Sequence, residues 1–435
     1  MKICMIGAGY VGLVTGTCFA DLGNAVYCVD KNKVKIDMLN NGEIPIYEPG
    51  LDEIVRKNYL SRRLKFTTNL RLAVRSSDVV FICVGTPTSK KNRSANLQFV
   101  FKAATEISKC IKKFKIIICK STVPVTTGDK IEKIISKRVK KKLFEVISNP
   151  EFLREGEAIR DFKFPDRIVV GTNNKKILRR IESLYEPLIK KGAKLFSTTR
   201  RGAEIIKYAS NSFLATKISF INEIANLCEN INVDVEDVSL GIGLDKRIGD
   251  RFLRVGPAYG GSCFPKDTKA ITVTGDQFNT NLSIIKSVIR SNENRKILLT
   301  KKIEKLLLNK VKNKKIAFLG VTFKANTNDM RNSTSLSMIP ALKKKGAKIK
   351  YYDPSGEKNE FSKLKNVVYS NSILDVCFNA DLIIIHTEWD EFKTIDFKKI
   401  SKNKKFKIFD MRNLYSPQKM KNLGLSYYSI GRSTY

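Results

Sequence analysis

The segment YGGSCFPKD, Tyr259 to Asp267, concentrates groups capable of chemistry. Gly260 and Gly261 allow close backbone approach, Cys263 follows them, and Pro265 suits the first turn of a helix. A thiol at a helix N-terminus, with Lys266 nearby, is expected to be partly ionised and nucleophilic. Asp267 lies one helical turn further on, where it could face the same reacting centre. Lys207 and Asn211 form a second set, also one turn apart, on a long apolar stretch. Buried polar groups need partners, and a lysine beside a carboxamide on one helix face makes a clamp for a developing alkoxide. Two plainer readings compete: the cysteine sits in an ordinary glycine loop, and the lysine snorkels to solvent while the asparagine caps a loop.

A third set stands at the start of the chain. Gly7, Gly9 and Gly12 make GxGxxG between a short apolar run and an apolar helical stretch opened by Tyr10 and Val11, and Asp30 closes the next apolar run. The glycines permit the tight turn and the approach of a pyrophosphate, the helix N-terminus offers N–H groups, and the carboxylate receives ribose hydroxyls. Asp30 would repel a 2′-phosphate, so NAD is expected rather than NADP, a preference softened by Lys31, Lys33 and Lys35. VGTPT (Val84 to Thr88, with Thr86 and Pro87) and STVP (Ser121 to Pro124, with Thr122) follow further apolar runs. Open α/β sheets bind ligands at that edge, though either segment could equally be a strand terminator.

These groups need elements to hold them. Lys2 to Ile6, Ala25 to Val29, Val79 to Val84, Ile116 to Cys119 and Glu145 to Ile147 are short continuous apolar runs separated by helical stretches, the pattern of a parallel sheet covered on both faces. Ala203 to Cys228 contains neither Gly nor Pro and is apolar nearly all round, so it reads as a long helix buried between domains or against a second subunit. Beyond the Lys-rich helical stretch Arg295 to Lys312, KKIAFLG, KIKYYD and ADLIIIHTEWD echo KICMIG, AVYCVD and SDVVFICVGTP, as a second Rossmann-like domain would; any two βαβ units share such signals. The fold class is therefore α/β, with two doubly wound parallel sheets joined by a central helical segment.

Composition narrows the field. The balance of 80 Lys+Arg against 42 Asp+Glu gives a net charge of +38, but the lysines are scattered, with only short clusters such as Lys140 to Lys142 and Lys343 to Lys345. That is a solvated surface favouring anionic substrates rather than a nucleic-acid or membrane surface. Nine cysteines without a CxxC pair, several of them (Cys4, Cys28, Cys83, Cys119) inside apolar runs, imply reduced thiols and a cytoplasmic address. The single histidine, His386, argues against a multi-His metal site, and no metal is expected. The apolar stretch from Lys2 to Ala20 mimics a secretory leader, but its four glycines belong to the nucleotide pattern.

GAGYVG, VGTPT, KSTVPVTTG, SNPEFLREG, IKYASNSFLA, GLDKRIGDRFL, GGSCFPKD and GVTFKANTNDMRNS occur in this order along the chain. With them the sequence resembles the UDP-glucose/GDP-mannose dehydrogenase family over essentially its full length. The resemblance implies an NAD-binding Rossmann domain at 1–196, a central helical dimerisation domain carrying Cys263 at 197–300, and a Rossmann-like UDP-sugar domain at 301–435. It implies oxidation of UDP-glucose to UDP-glucuronate with NAD, by a homodimer or higher homo-oligomer. Cys263 would be the nucleophile, Lys207 and Asn211 would hold the oxygen on the reacting carbon, and Asp267 with Thr122 would orient water. Glu151 would be the base for hydrolysis and Glu155 would stand near cofactor and substrate. Phe152, Leu153, Arg154, the Phe252 to Gly260 loop with Tyr259, Phe323 and Lys324 would contact the sugar nucleotide. Arg247 would reach it from a neighbouring subunit, and Lys35, Lys266 and Arg331 would touch the cofactor, Lys35 less securely because some relatives have arginine there. The tail after Arg412, ending SIGRSTY, carries no readable motif. Oxidation of GDP-mannose or an N-acetylated UDP-sugar, a two-electron hydroxyacid dehydrogenase, and a basic nucleic-acid-binding protein remain the competing readings.

Overall fold

Runs rich in Val, Ile and Cys become the buried inner strands of a sheet whose two outermost strands are more polar and more exposed. In the computed structural model, which describes residues 1–89, 94–401 and 405–432, these are β1 (Lys2–Ile6), β2 (Ala25–Val29), β3 (Leu64–Thr67), β4 (Val79–Ile82), β5 (Lys115–Cys119), β6 (Phe144–Ser148), β7 (Arg167–Gly171) and β8 (Lys194–Thr198). They form one sheet in the order β3-β2-β1-β4-β5-β6-β7-β8. The first six are parallel, β7 meets β6 antiparallel at Ser148 and Gly171, and β8 runs parallel to β7. Alternation along β4 shows the two covered faces: Val79 and Phe81 join a cluster with Leu13, Phe19 and Leu184, whereas Val80 and Ile82 join one with Ile107 and Ile131. The first two sequence-expected strands have the expected limits and the other three shift by one or two residues. The unforeseen β3, β7 and β8 include the two strands that run against the rest.

The chain forms two compact units, Met1–Ser210 with Lys269–Thr280, and Asn211–Thr268 with Asn281–Tyr435. The second is built on β9 (Lys315–Leu319), β10 (Lys348–Tyr352), β11 (Val367–Tyr369), β12 (Leu382–Ile385), β13 (Lys407–Asp410) and β14 (Ser426–Ser429), all parallel, in the order β11-β10-β9-β12-β13-β14. That order repeats the order of the first six strands, so the echoes in sequence mark corresponding strands: β9 with β1, β10 with β2, β12 with β4. Ala215, Tyr259 and Val288 form a small apolar cluster away from the sheet, with Ile218 and Phe264 against it; most of the unit's buried helical residues pack on the sheet instead. Ile221, Ala225, Val235, Leu299 and Ile303 share one apolar cluster with Phe318, Tyr351 and Phe409 of the sheet.

The expected long helix runs from Arg200 to Ile231. Its buried face is partly polar, carrying Glu204, Lys207, Asn211, Ser212, Ser219 and Asn222 beside Ala203, Tyr208, Ala215 and Ile221. Its apolar surplus points outward instead, with Phe213, Phe220 and Leu227 exposed by 66, 49 and 54% in one stripe at heptad spacing. Burial all round is therefore not achieved within one chain.

The unreadable tail has a structural task within the second unit. Gly431 N donates to Glu229 Oε1 at 2.7 Å, Arg432 pairs with Asp234 at 3.0 Å, and Asn413 bonds both Ile430 and Glu236. Gly431 has φ +69°, and a Cβ there would stand 2.4 Å from Val235 and 2.8 Å from Ala225. Gly431→Ala is expected to cost about 1–3 kcal/mol through overpacking and left-handed strain. It should lower the thermal midpoint by several degrees; an unchanged melting curve would remove the tail from the fold's support.

Candidate active site

In the first unit the dinucleotide elements assemble at the carboxyl edge between β1 and β4, where the strand order reverses. Gly12 must be glycine because a Cβ would lie 1.8 Å from Gly7 O, and Gly7 itself turns at φ +101°. At Gly9 a Cβ would meet nothing within 4 Å, so the start of helix Tyr10–Asp21 faces open space of the kind a pyrophosphate occupies. Asp30 Oδ2 accepts from Ala8 N at 3.0 Å and pairs with Lys35 Nζ at 3.2 Å, while Oδ1 accepts from Asn32 N at 3.0 Å. Oδ1 keeps a lone pair for a ribose hydroxyl, while Oδ2 is taken by Ala8 N and Lys35, whose charge is thereby engaged. These residues fit NAD. Thr86 Oγ1 donates to Thr122 O at 2.9 Å, which joins the VGTPT and STVP loops; Val11 and Pro87 belong to the same edge.

Sequence reasoning missed the group that ties this edge to the LREG loop. Buried Glu48 accepts from Gly156 N and Ala158 N, both at 2.7 Å, from Ile159 N at 3.4 Å, and from the Tyr10 hydroxyl. A carboxylate at the N-terminus of helix Ala158–Lys163 therefore holds the segment carrying Glu155 against the first residue of the dinucleotide helix. The only sequence signal was an acid inside the turn-forming IYEPG. Arg154 is exposed and bonds Asp161 through Nε and Nη2.

Beyond β6, Lys207 Nζ lies 3.2 Å from Glu151 Oε1, both side chains about 5% exposed, and Glu151 Oε2 accepts from Leu153 N at 2.6 Å. Two cations approach the Phe152 ring, Lys207 Nζ at 5.1 Å and the Arg167 guanidinium at 4.0 Å from its centroid. A further buried cation, Lys120, donates to Asn149 Oδ1 at 3.1 Å. Burial, with repulsion from Lys207, lowers it to about 8 against the attraction of Cys83 and Glu151. It was visible only as the charge ending KIIICK. Lys120, Asn149, Glu151 and Lys207 thus make a dry polar patch beside the cofactor edge, suited to stabilising negative charge.

The second unit holds the cysteine. Cys263 O accepts from Asp267 N at 2.8 Å, so Cys263 occupies the N-cap position of helix Phe264–Gln277, with its Sγ 3.5 Å from Ser262 Oγ. All nine cysteines are described; eight are buried and Cys263 alone is half-buried. Burial pushes the thiols of Cys18, Cys83 and Cys377 up to about 12. Asp267 is fully buried, accepts from Asn211 Nδ2 at 2.6 Å and pairs with Lys266. The glycine pair is explained by its neighbours: a Cβ at Gly260 would lie 2.8 Å from Asn332 O, and one at Gly261 2.8 Å from the Phe323 ring. Phe252 and Tyr259 both set T-shaped contacts on Phe264. Lys324 Nζ stands 5.8 Å from the Phe323 ring. Arg412, read in the sequence only as the start of the tail, donates to Phe323 O and His386 O at 3.0 Å and pairs with Glu388. Two expected contact residues are occupied locally: Arg247, 89% exposed, forks onto Asp245, and Arg331 forks onto Asp329.

The second sheet does not repeat the first site. Asp353 follows β10 as Asp30 follows β2, but it is fully buried and accepts from Val321 N at 2.8 Å, Thr322 N at 3.2 Å and Ser355 N at 3.0 Å. Its oxygens are spent on shaping the loop after β9, and a nucleotide there cannot use the ribose–carboxylate contact of the first domain.

Residues 1–189, 201–294 and 317–417 match the NAD binding, central and UDP binding domains of the UDP-glucose/GDP-mannose dehydrogenase family. The UDP-glucose 6-dehydrogenase of Rhizobium meliloti (strain 1021) is 47% identical over 99% of this chain and 100% of its own length. That of Bacillus subtilis (strain 168), TuaD, is 44% identical over 99% and 93%. A solved UDP-glucose dehydrogenase of Pyrobaculum islandicum superposes with a TM-score of 0.91 at 33% identity, covering 99% of this chain and 98% of that one. A UDP-D-ManNAc dehydrogenase of Pyrococcus horikoshii gives 0.87 at 26%, covering 99% of both. The chain belongs to the UDP-glucose/GDP-mannose dehydrogenase family and is an NAD-dependent oxidoreductase.

Cofactor choice follows from Asp30 and its engaged Lys35. Asp30→Ala removes the repulsion of a 2′-phosphate and frees Lys35 to meet one. The ratio of kcat/KM for NAD over NADP is expected to fall about tenfold or more, equivalent to about 1.4 kcal/mol. An unchanged ratio would take Asp30 away from the ribose.

Proposed function

We propose that the chain oxidises the primary alcohol of UDP-glucose to the carboxylate of UDP-glucuronate through a thioester on Cys263. The observation that carries the covalent step is the contrast among the thiols: eight are buried, and the half-buried one caps a helix backed by the Asp267–Asn211 bond. The sugar follows from the two full-length relatives, both UDP-glucose 6-dehydrogenases, and from the solved UDP-glucose dehydrogenase, which resembles the chain more than the UDP-D-ManNAc enzyme does.

NAD supplies a hydride acceptor, once for the alcohol and once, after exchange, for the thiohemiacetal. The hydroxyl proton leaves to solvent water as the first hydride departs, and Lys207 Nζ and Asn211 Nδ2 donate to the oxygen of the reacting carbon as charge develops on it. The Cys263 thiolate adds to the aldehyde, forming a C–S bond and retaining the reactive intermediate. Loss of the second hydride leaves a thioester. Glu151 takes a proton from water, oriented by Asp267 and Thr122, as it attacks the carbonyl; the C–S bond breaks, and acid and thiolate are released. Phe152, Leu153, Arg154, Glu155, Phe252, Tyr259, Gly260, Phe323 and Lys324 receive the nucleotide sugar, and Lys35, Lys266 and Arg331 contact the cofactor. In this reading the working domains are 1–196, 197–300 and 301–435. The exposed stripe Phe213, Phe220 and Leu227 is covered by a second copy, bringing Arg247 to its neighbour's substrate. The enzyme works in the cytoplasm, in keeping with its reduced cysteines and with the lack, among the described residues, of a helix long and apolar enough to cross a membrane.

Hydride stoichiometry tests the reading. Purified protein given limiting UDP-glucose and excess NAD is expected to form two NADH per sugar and to release no aldehyde to a carbonyl trap. GDP-mannose and N-acetylated UDP-sugars should turn over at least about tenfold more slowly, a difference of about 1.4 kcal/mol in transition-state binding. One NADH per sugar would contradict the four-electron reaction, and equal rates on all sugars would contradict the substrate assignment.

A further inference from the structure

The loop Gly256 to Gly260, to which the proposed function gives the sugar nucleotide, has no regular secondary structure. Its main chain is held instead by buried side chains from two helices of the same unit. Asn222 Oδ1 accepts from Gly256 N at 3.0 Å, and Arg295 Nε donates to Gly256 O at 2.8 Å. Arg295 Nη1 continues to Asn222 O at 3.1 Å and Asn226 Oδ1 at 3.4 Å. Asn292 takes Tyr259 by both ends: its Oδ1 accepts from Tyr259 N at 2.9 Å and its Nδ2 donates to Tyr259 O at 3.1 Å. Further along, Gly261 N donates to Arg331 O at 2.8 Å and Asn332 Nδ2 to Gly261 O at 3.3 Å. Little slack remains between this loop and Cys263.

The arrangement is costly as packing alone. Asn222, Asn292 and Arg295 are 2, 3 and 5% exposed. Arg295 directs its hydrogen bonds to amide oxygens, and burial lowers its guanidinium to about 9. Asn222 Nδ2 and Arg295 Nη2 are buried without a protein partner, and an unsatisfied buried donor costs about 1–3 kcal/mol. Apolar side chains would fill the same volume without that cost. What they could not do is grip two peptide groups of an irregular loop.

We propose that Asn222, Asn292 and Arg295 are positioning residues for the substrate, fixing Gly256 and Tyr259 by their peptide groups and so setting the sugar-nucleotide loop relative to Cys263. The proposal rests on the function given above. Asn292→Asp keeps the size of the side chain but loses its donor, and Arg295→Lys keeps the charge but loses the guanidinium fork. Wild type and both variants are to be compared in KM and kcat for UDP-glucose and NAD, in thermal melting, and in the concentration of UDP-glucose that protects Cys263 from iodoacetamide. Both variants are expected to melt as folded proteins, with KM for UDP-glucose and the protecting concentration raised about tenfold and KM for NAD within about twofold. If Asn292→Asp does not fold, Arg295→Lys decides by the same readouts. Folded variants with wild-type KM and wild-type protection would overturn the proposal, as would a loss seen only as a smaller folded fraction. A wild-type protein inactive on UDP-glucose would overturn the proposed function and this inference with it, an outcome distinct from active wild type with unchanged variants.

Discussion

A carboxylate sealed from solvent, Asp267, accepts a 2.6 Å hydrogen bond from Asn211 and pairs with Lys266. An unpartnered charge in that position would cost several kcal/mol, so the bond fixes which turn of helix Arg200–Ile231 meets which turn of helix Phe264–Gln277. Cys263 caps the latter helix one turn before Asp267, and the former carries Lys207 one turn before Asn211. The thiol's place is therefore inherited from a buried polar contact between helices rather than from its own loop. Gly260 and Gly261 then let Asn332 and the Phe323 ring close over the loop from the other side.

One topology serves two nucleotide roles because of how a single carboxylate is used. In the first sheet Asp30 keeps acceptor capacity at an edge where Gly9 leaves open space. In the second, Asp353 is consumed: Oδ2 by Val321 N and Thr322 N at the start of the long segment between β9 and helix Ser335–Lys344, and Oδ1 by Ser355 N just after β10. That segment contains Phe323 and Lys324, residues to which the proposed function gives the sugar nucleotide.

The glycine pattern, the first strands and Asp30 were legible because each obeys a local rule: period, turn chemistry and spacing. Cys263 was legible for the same reason, as a thiol before a proline in a helix-opening sequence. The apolar character of Phe213, Phe220 and Leu227 says that they call for cover but not which chain supplies it, and within one chain they are exposed. The strands β7 and β8 are not among the expected ones: β8, KLFST, is largely exposed and offers no continuous apolar run, and nothing local shows that β7 would reverse against β6. Glu48, Lys120, Asn222, Asn292 and Arg295 were invisible as site residues, because their partners are main-chain or side-chain atoms far away in sequence. A polar residue in a helix reads as a solvated face until the fold buries it.

The account stands on a covalent bond between the substrate carbon and Cys263, and an acyl group held at that position is its most direct evidence. Cys263→Ser keeps a weaker nucleophile whose ester should hydrolyse more slowly than a thioester. After incubation with UDP-glucose and NAD, the intact variant is expected to gain the mass of one UDP-glucuronyl group, located by peptide mapping to position 263. Brisk formation of UDP-glucuronate by this variant, with no added mass at any time point, would contradict the covalent mechanism.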